Sequence, residues 1–171
     1  MSVHMPDRAK QEVEDLTFMR KAVSALGDAI VSLEQPVSPQ MAAGVAASLR
    51  ARRAIGEEFG WLKAAEASQL LGSIQPGGAY ANDLRKERRA LGVPVRNTYV
   101  YPGFQFTDSG KVHVTVTEVL RLADDLKVDA DTVAQWFCLP SPGLSGARPV
   151  DIMDERQAIL DDFIGRFGAQ W

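Results

Sequence analysis

The fold is decided by residues 61–106, which read WLKAAEASQLLGSIQPGGAYANDLRKERRALGVPVRNTYVYPGFQF. The spacing of apolar residues predicts a short Ala-rich helix over 64–71. A turn containing Pro76 and two glycines follows, and then a second helix over 79–91. This order of helix, turn and helix predicts a helix-turn-helix.

A small β-hairpin is predicted directly after the second helix. Alternating valines and tyrosines flank a turn at Arg96 and Asn97, the pattern of two short paired strands. A helix-turn-helix with such a wing places a cationic helix in the major groove of DNA. The predicted fold is therefore mainly α, a winged helix-turn-helix with a small β-hairpin, followed by a second helical part.

The net charge of −3 is distributed unevenly along the sequence. Residues 1–49 hold four Lys/Arg and six Asp/Glu, residues 50–100 hold nine and five, and residues 101–171 hold six and eleven. The segments therefore carry −2, +4 and −5, which add to −3. Because cations that contact phosphates release counterions, the basic middle segment is the candidate for nucleic acid. The acidic last segment is expected to meet a different partner.

The candidate DNA contacts are cations and one amide in the middle segment. On the second predicted helix, four of these side chains recur at three- and four-residue spacing, which places them on one face. Arg and Lys bind the N7 and O6 atoms of guanine, and Asn binds adenine. Because Glu87 lies in the same run, an ordinary solvated helix with internal ion pairs is the alternative. The predicted DNA-binding residues are Asn82, Arg85, Lys86 and Arg89 on the helix, with Lys63 and Arg96 as phosphate contacts.

The sequence argues against catalysis, a metal centre and a membrane span. Cys138 is the single cysteine, and His4 and His113 are the only histidines, so we expect no metal site. Cys138 reads as a buried, inert thiol, and His113 lacks convincing partners for a catalytic set. Apolar runs are short and there is no signal-peptide core. We therefore expect a cytoplasmic protein that is not an enzyme, needs no cofactor and has no membrane contact.

Helices are also predicted on both sides of the central segment. Apolar residues recur every three or four positions over 9–33, and Ser38-Pro39 predicts the cap and first turn of a second N-terminal helix. We expect that these two helices either pack within the chain or form a dimer interface. Thr115 and Glu118 have the spacing of a capping box for a later helix.

Three motifs in the last third carry a resemblance to a known family. They are YPGFQF at 101–106, Trp-Phe at 136–137 and LSGARPVD at 144–151. Together they resemble the toxin-binding domain of the Xre/MbcA/ParS antitoxin family, over about residues 99–168. Residues 61–98 are similar to the helix-turn-helix found in some relatives.

The resemblance implies an antitoxin of a type II toxin–antitoxin system. Such an antitoxin neutralises a RES-domain toxin, an enzyme that consumes NAD, and represses its own operon by binding operator DNA as a homodimer or larger assembly. The alternative is a stand-alone transcriptional regulator whose C-terminal domain oligomerises, and a neighbouring gene for a RES-type toxin would discriminate between the two. The implied toxin-binding residues are Arg148, Pro149, Asp151, Phe167 and Trp171.

The predicted organisation has three parts. Residues 1–60 form an N-terminal helical pair, residues 61–106 a winged helix-turn-helix segment that binds DNA, and residues 107–171 a helical toxin-binding domain. Within the last part, Arg148 and Asp151 are close enough in sequence to brace a tight turn, which is the structural alternative to a toxin contact.

Overall fold

The computed structural model describes residues 38–168. Among these, residues from Ala47 onward belong to one compact unit, and residues 38–46 belong to another. The described part is mainly helical and carries one small antiparallel sheet. The helices are α1 (Pro39–Phe59), α2 (Ala64–Leu70), α3 (Ala79–Lys86), α4 (Val114–Asp125), α5 (Ala130–Phe137) and α6 (Arg156–Phe167). The strands are β1 (Trp61–Lys63), β2 (Val93–Val95) and β3 (Thr98–Pro102), and short 3₁₀ turns occupy Gly103–Gln105, Pro142–Leu144 and Pro149–Asp151.

Helix α1 begins where the sequence predicts. The Oγ atom of Ser38 accepts a hydrogen bond from the N–H of Met41 at 3.2 Å, which caps the first turn. The helix ends before Gly60, whose φ of +77° is a left-handed conformation that glycine adopts without strain. The helix predicted over 9–33 lies outside the described residues.

The sheet has the strand order β1-β3-β2, so it contains one strand more than the predicted hairpin. The hairpin of β2 and β3 turns at Arg96 and Asn97, as predicted. Strand β1 pairs antiparallel with the other edge of β3, where Leu62 lies opposite Tyr101. A three-residue strand is too short to show the alternation from which strands are predicted.

Two apolar clusters hold the unit that begins at Ala47. The larger one joins helices α4, α5 and α6 to Ile55 of α1 and to Leu91 and Val93. The smaller one joins α2 and α3 to the sheet around Tyr101. Because the larger cluster takes side chains from both sides of the predicted boundary at 106/107, the two segments share a core. The three-part organisation itself stays a prediction.

Helix α3 is shorter than predicted, because it ends at Lys86 instead of continuing through Leu91. Arg88 takes a left-handed φ of 58°, and its guanidinium donates to Oδ1 of Asp124 on α4 at 2.6 and 2.9 Å. The helix is closed by main-chain hydrogen bonds at this left-handed residue, where the N–H of Arg89 donates to the carbonyl of Leu84 at 2.8 Å. Arg89 therefore lies beyond the helix and does not continue the face predicted for it.

The capping box predicted for α4 is wrong. The helix begins at Val114, and the cap is His113, whose Nδ1 accepts a hydrogen bond from the N–H of Thr115 at 3.3 Å. The Thr115 side chain is buried, and its Oγ1 donates to the carbonyl of Met153 at 2.8 Å. The hydroxyl that the local pattern predicts as the helix cap therefore forms its hydrogen bond within the folded core instead.

Gln105 ties the hairpin to the helices on both sides of it. Its fully buried side chain accepts from the N–H of Leu91 at 2.7 Å and donates to the carbonyls of Leu91 at 2.9 Å and Pro102 at 3.1 Å. Its main-chain carbonyl accepts from the N–H of His113 at 2.8 Å. One residue therefore fixes the chain after α3, the end of β3 and the start of α4.

We predict that Gln105→Leu strongly destabilises the fold. The substitution leaves two carbonyls and one N–H of the main chain buried without these partners, at a cost of about 1–3 kcal/mol for each group. We therefore expect the free energy of unfolding in urea to fall by at least about 3 kcal/mol. Gln157→Leu is the control, because the Gln157 side chain is exposed and bonds only to Asp161 among the described residues. Equal losses in both variants would contradict the role of Gln105.

Candidate nucleic-acid interface

Helices α2 and α3 are joined at a buried side chain and at their first turns. The Oγ atom of Ser68 accepts from the N–H of Ala81 at 3.0 Å, and both residues are fully buried. A Cβ atom on Gly78 would lie 2.3 Å from the Cβ of Ala64, so only glycine fits there. The beginning of α3 therefore lies against the beginning of α2.

The hairpin holds α3 through two predicted DNA contacts. The hydroxyl of Tyr101 donates to Oδ1 of Asn82 at 3.0 Å, and burial raises the pKa of Tyr101. The guanidinium of Arg85 lies 3.7 Å from the ring centroid of Tyr99, a close cation–π contact. A Cβ on Gly92 would lie 2.6 Å from Cδ of Arg85, so glycine makes room for this side chain. In the described residues, Asn82 and Arg85 thus hold α3 on the hairpin, and their binding to bases is untested.

The remaining cations of this helix and of the loop after it form exposed ion pairs. Lys86 pairs with Asp83 at 3.3 Å, and Arg89 pairs with Glu87 at 3.0 Å. All four side chains are more than half exposed. Exposed pairs of this kind are worth about 0–1 kcal/mol, so either cation can leave its carboxylate for a phosphate.

Lys63 and Arg96 are the two predicted phosphate contacts, and both are exposed. Lys63 directly precedes α2, where its N–H donates to Oε2 of Glu66 at 2.6 Å. Arg96 occupies the hairpin turn with a left-handed φ of 53°. No carboxylate within residues 38–168 forms an ion pair with either side chain. As far as the described residues are concerned, both positive charges are therefore available to bind a ligand.

The residues considered for catalysis have structural roles. His113 caps α4, and its Nε2 lies 3.4 Å from Oδ1 of Asp154. Burial raises the pKa of Cys138 to about 12, so the thiol stays protonated at neutral pH and is a poor nucleophile. Within residues 38–168, no three potential metal ligands cluster, and no helix is both long and apolar enough to cross a bilayer. The expectation of no metal, cofactor or enzymatic activity stays a prediction.

Arg148, an implied toxin contact, is committed to a network inside the chain. Its guanidinium bonds both carboxylate oxygens of Glu58 at 2.8 Å and both of Asp151 at 2.7 Å. These hydrogen bonds hold the pKa of Glu58 and of Asp151 below its usual range, and they raise that of Arg148. The structural alternative, in which Arg148 and Asp151 brace a turn, is therefore observed, and Glu58 extends it to α1.

The other implied toxin contacts are distributed differently. Pro149 is buried, and Phe167 is half-buried with its ring centroid 4.7 Å from that of Phe163. Trp171 lies outside the described residues. The carboxylate of Asp162 on α6 already has partners within the chain. Its Oδ1 accepts from the hydroxyl of Ser141 at 2.6 Å, and its Oδ2 accepts from the indole N–H of a buried tryptophan. These contacts anchor α6, and their part in toxin binding is untested.

Comparisons with known proteins give a likeness of fold. No family model and no curated protein matches the sequence. The chain is similar to the NMR structure of Rv2175c, with a TM-score of 0.52 and 20% sequence identity over 63% of this chain and 82% of that chain. At this identity the likeness concerns the fold alone. The family named from the sequence motifs therefore stays a resemblance.

We predict that Arg148→Ala lowers stability at neutral pH and makes it less sensitive to acid. The carboxyls of Glu58 and Asp151 have lowered pKa values in the folded protein, so their stabilisation is present above their ordinary values of 4.5 and 3.8. It is lost as pH falls through the lower folded values. The melting temperature of the wild-type chain should therefore fall more than that of the variant between about pH 7 and about pH 3.

The matched control is Arg53→Ala, because Arg53 forms an exposed pair with Glu57 within one helix. This variant should keep the acid sensitivity of the wild-type chain. Parallel curves for Arg148→Ala and the wild-type chain would show that the network does not stabilise the fold.

Proposed function

We propose that this chain is a DNA-binding regulator in which α2, α3 and the hairpin form a winged helix-turn-helix. The observation that carries the proposal is the junction of α2 and α3 at Gly78 and Ala64, next to the exposed Lys63. Exposed cations beside a helix-turn-helix contact phosphates and so position the protein on DNA.

In this proposal the polar residues divide into three pairs with different tasks. Lys63 and Arg96 contact phosphates, because both are exposed and one occupies the wing turn. When DNA binds, Lys86 and Arg89 leave the carboxylates of their weak ion pairs and contact the DNA. Arg85 and Asn82 set the angle between α3 and the wing.

We further propose that the segment from 107 onward binds a second protein, namely a RES-type toxin. Support comes from the motifs that resemble the Xre/MbcA/ParS family and from the surface of α6. Ile164 on this helix is 46% exposed although it is apolar, and exposed carboxylates of Asp154, Glu155 and Asp161 lie on or just before the helix. Exposed carboxylates and an exposed apolar side chain along one helix suit a basic nucleotide-binding cleft.

We predict that Lys63→Ala/Arg96→Ala weakens binding to duplex DNA from the region upstream of the gene. Each phosphate contact contributes about 0.9 to the slope of log affinity against log salt, so the slope should become less steep by about 1.8. The measurement is fluorescence anisotropy of the full chain over a salt series, with a scrambled duplex beside the upstream one.

The charge-matched control is Arg121→Ala/Arg166→Ala, which removes two exposed cations from α4 and α6. Its salt slope should equal that of the wild-type chain. A slope unchanged by Lys63→Ala/Arg96→Ala, or reduced equally by the control, would refute the proposed contacts. No binding to either duplex would refute DNA binding altogether.

A further inference from the structure

A cavity of about 490 Å³ lies between α3, the turn at 107–111 and the start of α4. Its size is within the range of small-molecule sites. The cavity was not anticipated, because its lining comes from three separate segments. Its polar lining consists of Tyr80, Arg89, Ser109, Lys111 and Thr117.

The charge of this lining is positive. Arg89 and Lys111 are both exposed cations, and none of the described residues that line the cavity has a carboxylate. Glu87 pairs with Arg89 from outside the cavity at 3.0 Å, with both side chains more than half exposed. Such a pair contributes little, so an anion in the cavity can replace Glu87 as the partner of Arg89.

The turn that carries Lys111 is held in place before any ligand arrives. The N–H of Thr107 donates to the carbonyl of Lys111 at 2.8 Å, and the hydroxyls of Thr107 and Ser109 lie 2.9 Å apart. Gly110 has a φ of +71°, and a Cβ atom there would lie 2.6 Å from the carbonyl oxygen of Leu70. The turn therefore packs against the end of α2. Because the turn is already ordered, less conformational entropy is lost when a ligand binds to it.

We propose that this cavity is a phosphate-binding site. Arg89 and Lys111 supply charge-assisted hydrogen bonds. The hydroxyl of Ser109 also faces the cavity, and that of Thr117 donates to the carbonyl of Arg89 at 3.5 Å. Tyr80, which is 43% exposed, offers a ring on which a base can stack next to the phosphate. The ligand is a phosphate group beside an aromatic base, which either a free mononucleotide or a DNA strand provides. The site does not depend on the proposed DNA-binding function.

The test is an NMR titration of the ¹⁵N-labelled full chain with inorganic phosphate, AMP and the upstream duplex, each at constant ionic strength. We expect the amide signals of Arg89, Ser109 and Lys111 to shift and to saturate. In Arg89→Ala/Lys111→Ala the dissociation constant should rise at least about tenfold, because a hydrogen bond to a charged group is lost at each position. Lys111→Gln alone, a change in an exposed turn, should show a smaller rise and keep the fold.

Arg121→Ala/Arg166→Ala is again the control, and its titration should match that of the wild-type chain. A response to phosphate and AMP identifies a free nucleotide as the ligand, and a response to the duplex alone identifies a DNA phosphate. The assignment is overturned if no probe shifts these signals, or if the shifts persist in Arg89→Ala/Lys111→Ala. If phosphate binds and DNA does not, the DNA-binding proposal fails while the site stands.

Discussion

The buried amide of Gln105 is the contact on which the rest of the unit depends. Main-chain groups that leave water need partners, and the N–H and carbonyl of Leu91 lie outside every described helix and strand. The Gln105 side chain pairs with both of them and with the carbonyl of Pro102 at the end of β3. One side chain with an acceptor and two donors satisfies them together. Since Leu91 follows α3 and Pro102 ends β3, this amide fixes the distance between the helix pair and the hairpin.

The hairpin consequently acts as a support for α3 as well as a wing. Tyr101 is buried beneath Asn82, and Tyr99 lies against Arg85, so two polar residues of α3 face the sheet. Exposed positive charge remains at Lys63 and Arg96, and at Lys86 and Arg89 in weak ion pairs. The proposed interface therefore relies mainly on phosphate contacts. Such an arrangement gives affinity and orientation first and base recognition second.

The sequence predicted those features that depend on local patterns. The start of α1 at Ser38 and the hairpin turn at Arg96 follow from capping and turn chemistry, which act over a few residues. The predicted end of α3 was wrong because Arg88 takes a left-handed conformation that usually favours glycine, and the N–H of Arg89 closes the helix on the carbonyl of Leu84. The predicted cap of α4 was wrong because the folded core takes the hydroxyl of Thr115.

Of the candidate site, residue types were easier to predict than their surroundings. The sequence predicts the basic character of 61–98, but it does not predict that the guanidinium of Arg85 packs on the ring of Tyr99. The spacing of Arg148 and Asp151 predicts, as the structural alternative, that they brace a turn, whereas Glu58, the partner of Arg148 90 positions away, carries no local signal. Lys111 was missed because a lone lysine in a turn becomes notable only when Arg89 is brought near the same cavity.

We propose that two separate surfaces of this chain bind two different partners. The decisive measurement is hydrogen–deuterium exchange on the full chain, first with the upstream duplex and then with a RES-type toxin encoded beside the gene. Bound surfaces exchange more slowly, so the account predicts that DNA protects 63–86 and the hairpin turn, and that the toxin protects 139–167. Protection of 139–167 by DNA with none at 63–86, or protection of the same peptides by both partners, would contradict it.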